Sequence, residues 1–162
     1  MKNQKWVSAR EDSSKGFTFI ELMLVVVIAG VLMGLAVPYF EEWKKDLEYR
    51  EVTRHIVSIL RYAQSRAITT NLEHRVEYEP ENRRYRVIQG NRADNSSNWS
   101  TVVCDWFVLP HGVHLDTTVN TVHLNTNGTA NGATIKIQDA EKMTKFEVKV
   151  ANTGRVRVPL SL

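Results

Sequence analysis

The chain has 162 residues, 43% of them hydrophobic and 24% charged, with a formal net charge of +3 and a sequence pI near 9.1. That length accommodates one soluble domain plus one apolar span and leaves no room for a second ordinary domain. The single cysteine, Cys104, excludes an intramolecular disulfide framework.

The first element in chain order is the stretch Lys15-Gly16-Phe17-Thr18-Phe19-Ile20-Glu21, which runs into an uncharged apolar segment over residues 22–37. As a helix, residues 17–37 would be about 32 Å long at a rise of about 1.5 Å per residue, close to the roughly 30 Å hydrocarbon thickness of a bilayer. The segment therefore reads as a membrane span. Glu21 sits inside its start, and an unpaired carboxylate there costs on the order of 2.5 to 3.5 kcal/mol, so it calls for a partner. Gly30, Gly34 and Pro38 recur every fourth residue on one side of this helix. Small residues at that spacing let helix backbones approach, and Pro38 removes the hydrogen bond to the Gly34 carbonyl, marking a flexible point.

The glycine, the aromatic, the glutamate and the apolar run, at this spacing, resemble the leader and assembly helix of type IV prepilins and type II secretion pseudopilins. The resemblance implies that a prepilin peptidase cuts between Gly16 and Phe17, removing residues 1–16 as a leader, and methylates the new amine of Phe17. It also implies that Glu21 is the assembly acid. Physically, the Phe17 ammonium of one subunit is the natural counter-ion for Glu21 of a neighbour, because burying either charge alone is unfavourable. The leader would take Lys2, Lys5, Arg10, Lys15, Glu11 and Asp12 with it, leaving 17 basic and 16 acidic residues of the 21 and 18 in the whole chain. A nearly neutral mature chain gives no argument for a general nucleic-acid binder. The basic leader orients the span in the inner membrane, N-terminus cytoplasmic and C-terminal domain periplasmic.

Beyond Pro38 the helix is expected to continue to about Thr69. Tyr49, Val52, Ile56, Ile59, Leu60, Ala63 and Ala67 form its apolar stripe, while the opposite face is charged with both signs and solvated. From Glu73 the period becomes two. His74, Val76 and Tyr78 alternate with Arg75, Glu77 and Glu79, and after the turn Pro80-Glu81-Asn82-Arg83 the residues Tyr85 and Val87 alternate with Arg84 and Arg86. That register sets Glu79 opposite Arg84 and Glu77 opposite Arg86, so cross-strand acids neutralise the arginine cluster.

Residues 89–98 read as an exposed loop. Residues 99–109 read as a central strand or two short ones. Pro110-His111-Gly112 makes a turn, and further strands follow at 119–124, 133–138, 143–150 and 155–158. The fold class is α+β: a long N-terminal helix over 17–70, its first half transmembrane, packed on an antiparallel β-rich domain over 71–162 that forms two small sheets.

Asn152-Thr153-Gly154 reads as a three-residue hairpin loop with Gly154 in the left-handed region. The hairpin then pairs Val148 with Val158 and Val150 with Val156 on the core face, and places Lys149 opposite Arg157 on the exposed face together with Arg155. Like charges across a ladder are mildly destabilising, so an anionic ligand would relieve them.

Gly154-Arg155-Val156-Arg157-Val158-Pro159 resembles the C-terminal signature of the GspH/FimT family. Residues 60–71, Leu-Arg-Tyr-Ala-Gln-Ser-Arg-Ala-Ile-Thr-Thr-Asn, are similar to that family's helix end. The stretch 124–128 departs from it, with Leu124 where an aromatic is common. The resemblance implies a minor pseudopilin at the tip of a periplasmic pseudopilus serving protein secretion, with other pilins or pseudopilins as partners. The alternative is a FimT-like minor pilin that binds DNA for uptake through Arg155, Arg157 and Lys149, a phosphate-directed and salt-sensitive mode. The lone Cys104 sets the chain apart from many major pilins, which close a C-terminal loop by a disulfide. His111, His114, Cys104 and Asp116 are the only candidate metal ligands and lack a diagnostic spacing, so no metal or other cofactor is expected. Without a phosphate loop or nucleophile elbow, no residue supports an enzymatic reading.

Overall fold

A computed structural model describes residues 16–159, with the side chains of residues 35–38 excepted. The leader expected at 1–16 thus lies almost wholly outside the described residues. The chain divides into two compact units, Met1–Glu42 and Trp43–Leu162, and the helix α1 (Phe19–Thr70) contributes to both.

In the first unit α1 begins two residues later than the pattern predicts, because Thr18 caps it. The Glu21 amide donates to Thr18 Oγ1 at 3.3 Å, and the Glu21 and Leu22 amides also reach the Thr18 carbonyl. Thr18-Phe19-Ile20-Glu21 is a capping-box sequence. Helix assignment runs without interruption through Pro38. No single helix among the described residues is long and apolar enough to cross a membrane; the segments Phe19–Gly34 and Tyr39–Thr70 meet that criterion only together.

In the second unit the remainder of α1 supplies one wall of the core. Val52, Ile56, Leu60, Ala63 and Ala67 are buried, at 0 to 1% exposure, and Tyr49 and Ile59 pack at the margin, as the 3,4 spacing predicts. Asn71, in the left-handed region at φ 53°, ends the helix. Eight strands follow in two antiparallel sheets. β1 (His74–Glu79), β2 (Arg84–Gln89), β3 (Thr101–Val108) and β5 (Thr121–Leu124) form one sheet in the order β3-β2-β1-β5. β4 (His114–Thr117), β6 (Ala133–Gln138), β7 (Thr144–Val150) and β8 (Val156–Arg157) form the other in the order β4-β6-β7-β8. Val76, Tyr78, Tyr85, Val122, Ile135, Ile137 and Val148 close the core against the helix.

Two expectations need correcting, and one strand was not expected. The segment 99–109 forms one edge strand, β3, because its apolar residues lie across an irregular ladder whose register shifts twice against β2. β4 was hidden by its mixed composition, His-Leu-Asp-Thr, in which Leu115 alone is buried. The last strand is only two residues long: Val156 pairs with Val150 and Arg157 with Lys149, but Val158 lies outside the ladder and is 42% exposed. The loop after β2, read as exposed, is also tied down. Glu73 accepts from the Ser96 amide at 2.7 Å, and the Glu73 backbone bonds to Gly90 and Arg92.

Candidate functional site

Two parts of the chain carry the features that sequence reading singles out. In the first unit, Phe17, Phe19, Ile20, Leu22 through Ile28, and Val31 through Met33 are all exposed, between 50 and 85%. Apolar residues thus surround this helix on every side. A Cβ built on Gly30 or Gly34 would meet nothing within 4 Å, so nothing among the described residues requires glycine there. Glu21 is exposed among these residues at the helix start, where the N-terminal dipole favours a carboxylate. The side chain of Pro38 lies outside the described set.

In the second unit the hairpin β7-β8 brings Lys149, Arg155 and Arg157 to one concave surface of about 630 Å³, lined also by Gly132 and by Ala133 and Thr134 of β6. The loop geometry matches expectation: the Gly154 amide donates to the Ala151 carbonyl, the Ala151 amide to Arg155, and Gly154 has φ 75°. Gly154 is needed for a second reason. An added Cβ would collide with the Gly128 carbonyl and with the Gln64 amide that donates to that carbonyl at 2.6 Å. The helix, the β5–β6 loop and the hairpin are thereby locked together, which fixes where Arg155 and Arg157 stand.

The charge balance at this surface differs from the sequence reading in one respect. Lys149 does face Arg157 across the ladder, but its ammonium also lies 3.3 Å from Glu147 on the same strand face. The i, i+2 spacing of Glu147 and Lys149 on β7 is the signal that would have revealed this pair. Arg155 and Arg157 are exposed and form no ion pair among the described residues.

The arginine cluster of β2 is neutralised as expected. Arg84 lies 2.7 Å from Glu79, and Arg86 2.8 Å from Glu77. The bonds from Arg84 and then Asn82 hold the Glu79 carboxyl below the usual carboxylate range. What periodicity could not show is Trp106, whose ring lies under both guanidinium groups at 4.2 and 4.3 Å. Among the described residues, no three His, Cys, Asp or Glu side chains gather where they could hold a metal ion.

An unpartnered apolar helix followed by a helix-backed pair of small sheets defines a pilin-type subunit. Residues 12–37 match the prokaryotic N-terminal methylation motif, and residues 52–154, well over half of the chain, match the type II transport protein GspH. The chain belongs to the GspH family. Its fold is similar to that of the minor pseudopilin EpsH of the Vibrio cholerae type 2 secretion system, with a TM-score of 0.59 at 18% identity, covering 70% of this chain and 97% of that one. It is also similar to the Pseudomonas aeruginosa type IV minor pilin FimU, with a TM-score of 0.56 at 12% identity over 74% and 98% of the two chains. A fimbrial protein of Pseudomonas aeruginosa is 35% identical over 77 residues, 46% of this chain; the chain spans about half the length of this curated relative. Family membership implies association with a pilus or pseudopilus and an N-terminal helix anchored in the membrane.

Proposed function

We propose that the chain is a minor pseudopilin, a structural subunit at the tip of a periplasmic pseudopilus that serves protein secretion. The observation that carries this reading is the apolar helix of the first unit, exposed on all sides and interrupted by a single acid, in a chain whose second unit belongs to the GspH family. Such a helix has two homes, a bilayer before assembly and a bundle of like helices after it. Cleavage between Gly16 and Phe17 would free the amine that pairs with Glu21 of the next subunit, and Gly30, Gly34 and Pro38 would shape the helix for that bundle. The helix would sit once in the inner membrane, with the β-rich unit in the periplasm. Mass spectrometry of the protein recovered from cell envelopes tests the premise. The expected species begins at an N-methylated Phe17, and an intact start at Met1 would refute it.

A second reading has its own observation in favour: Arg155 and Arg157 are exposed, form no ion pair among the described residues and are lodged in a concavity beside Lys149. A FimT-like minor pilin would hold DNA phosphates there. The full chain in detergent should then bind duplex DNA at low salt, with affinity falling steeply as salt rises. Equal binding by an Arg155→Ala, Arg157→Ala variant would remove this reading and leave the first untouched.

A further inference from the structure

A separate groove of about 790 Å³ lies within the second unit, between α1 and the β7-β8 side of the β4-β6-β7-β8 sheet. Its floor is apolar: Val57 from the helix, Phe146 from β7 and Val158 just past β8. Val57 and Phe146 pack against the margin of the core, whereas Val158 is 42% exposed and Tyr62, which also lines the groove, 44%. Small-molecule sites have this size, about 300 to 1,000 Å³, and this kind of lining, in which a few placed polar groups fix the ligand.

Here the polar groups are cationic. α1 has no acid between Val52 and its end at Thr70. The Thr53 and Ser58 hydroxyls donate to carbonyls of their own helix, those of Tyr49 and His55. Arg50 is engaged by Asp46 at 2.7 Å. Arg54 and Arg61 are exposed and pair with no acid among the described residues. At about 100° of turn per residue, Arg54 and Arg61 leave the helix within about 20° of each other, and Val57 leaves it about 40 to 60° away from both. The two cations therefore stand in line on the outward face, and Val57 lies to one side, half-buried with Phe146. A ligand set crosswise to the helix can place a charge between the guanidinium groups and its apolar part on the floor.

We propose that this groove binds an anionic amphiphile, whose phosphate or carboxylate head is held between Arg54 and Arg61 while one acyl chain lies on Val57, Phe146 and Val158. Guanidinium groups suit either head, because they offer paired N–H donors to its oxygens. A nucleic acid would meet the arginines but gain nothing from the apolar floor, and an uncharged chain would leave the arginines unused. A bilayer lipid and a free acyl anion share this chemistry. Neither source depends on the chain's place in a filament.

The test uses the full chain in phosphatidylcholine nanodiscs, with valine methyl signals followed by NMR as octyl phosphate is added below its micelle concentration. The signals of Val57 and Val158 should shift saturably, and the affinity should fall as salt rises. Octanol should bind about tenfold more weakly or worse, and inorganic phosphate should leave both valines unmoved. Arg54→Glu with Arg61→Glu should weaken octyl phosphate about tenfold or more and create binding of octylammonium, a gain that misfolding cannot produce. Replacing part of the phosphatidylcholine by phosphatidylglycerol separates the two sources: the same shifts without octyl phosphate assign a bilayer lipid, and their absence assigns a free amphiphile. Four results would overturn the proposal: no saturable shift at either valine, octanol binding as tightly as octyl phosphate, the same shifts with inorganic phosphate alone, or shifts that appear only once residues 160–162 are removed. The last would assign the groove to the chain's own residues beyond Pro159.

Discussion

The two halves of α1 share a secondary structure and little else. Before Glu42 its large apolar side chains from Phe19 to Met33 stand at least half exposed; beyond Trp43 Val52, Ile56, Leu60, Ala63 and Ala67 are buried to 1% or less. Burial of a leucine- or isoleucine-sized side chain contributes about 1.5 to 3 kcal/mol, so the second half is held by its own chain. The first half gains nothing comparable inside the chain. Its residues encode contacts with a bilayer or with other chains, and the same substitution should therefore read out in different assays on either side of the boundary.

The largest effect is expected at Glu21. Glu21→Val removes a carboxylate from the apolar segment, so membrane insertion should be retained while incorporation into filaments is lost. Fractionation of cell envelopes and sheared filaments measures both. Normal incorporation would break the pairing of Glu21 with a neighbouring amine and leave Glu21 as the closing residue of a capping box.

Ile56 and Val27 sharpen the comparison directly. Ile56 is fully buried, so Ile56→Ala should cost about 2 to 5 kcal/mol in a denaturant titration of the second unit. Val27 is 62% exposed, and Val27→Ala should leave that titration unchanged. Equal losses would mean the two halves do not differ as their burial indicates.

The glycines divide in the same way. Gly154 has a positive φ and no space for a Cβ, so Gly154→Ala should destabilise by at least about 2 kcal/mol, from left-handed strain and from displacement of Gln64 and Gly128. A thermal melt of the full chain would show it. Because the hairpin carries Arg155 and Arg157, any DNA binding should fall along with stability.

How much of this was legible in the sequence follows the same boundary. Local rules sufficed where one periodicity governed: the stripe of α1, the alternation of β1 and β2 with its two cross-strand ion pairs, the span of β6, and the hairpin loop at Gly154. They failed where the decisive partner was distant in sequence. Trp106 lies some twenty residues beyond the arginines it stacks on, and Gln64 lies 64 residues before the carbonyl it binds. Thr18 was a different omission, since the capping box was present in the sequence but masked by the more conspicuous glutamate. The length of β8 could not be read from Val158, whose apolar character suits a core position and an open groove equally well.

A smaller, graded effect concerns pH. Burial pushes the imidazoles of His74, His123 and His55 below their ordinary value of 6.5. His74 is fully buried; its Nδ1 lies 2.9 Å from the Leu72 carbonyl, and its Nε2 has no partner among the described residues. In the folded chain these groups resist protonation while the unfolded chain takes up protons, so stability is complete above pH 6.5 and declines as pH falls from there through the lowered folded values. Denaturant midpoints between pH 7.5 and 5 should fall, and His74→Asn should flatten the decline. A midpoint insensitive to this range would mean the histidines are not excluded from water.

The smallest effect on the fold, and the sharpest on the comparison, is expected at Gly30 and Gly34. Each would accept a Cβ without meeting any atom of the described residues within 4 Å, and alanine favours a helix over glycine by about 1 kcal/mol, so Gly30→Ala and Gly34→Ala should leave the isolated chain equally stable or slightly more so. If the glycines exist to let neighbouring helices approach, the loss must appear in assembly alone, and Leu at either position should depress incorporation further than Ala while the melt of the chain stays unchanged. Graded incorporation with a constant melting temperature would show that the information at these positions is intermolecular. A matching fall in both would place their partner inside the chain, where the structure has none within 4 Å.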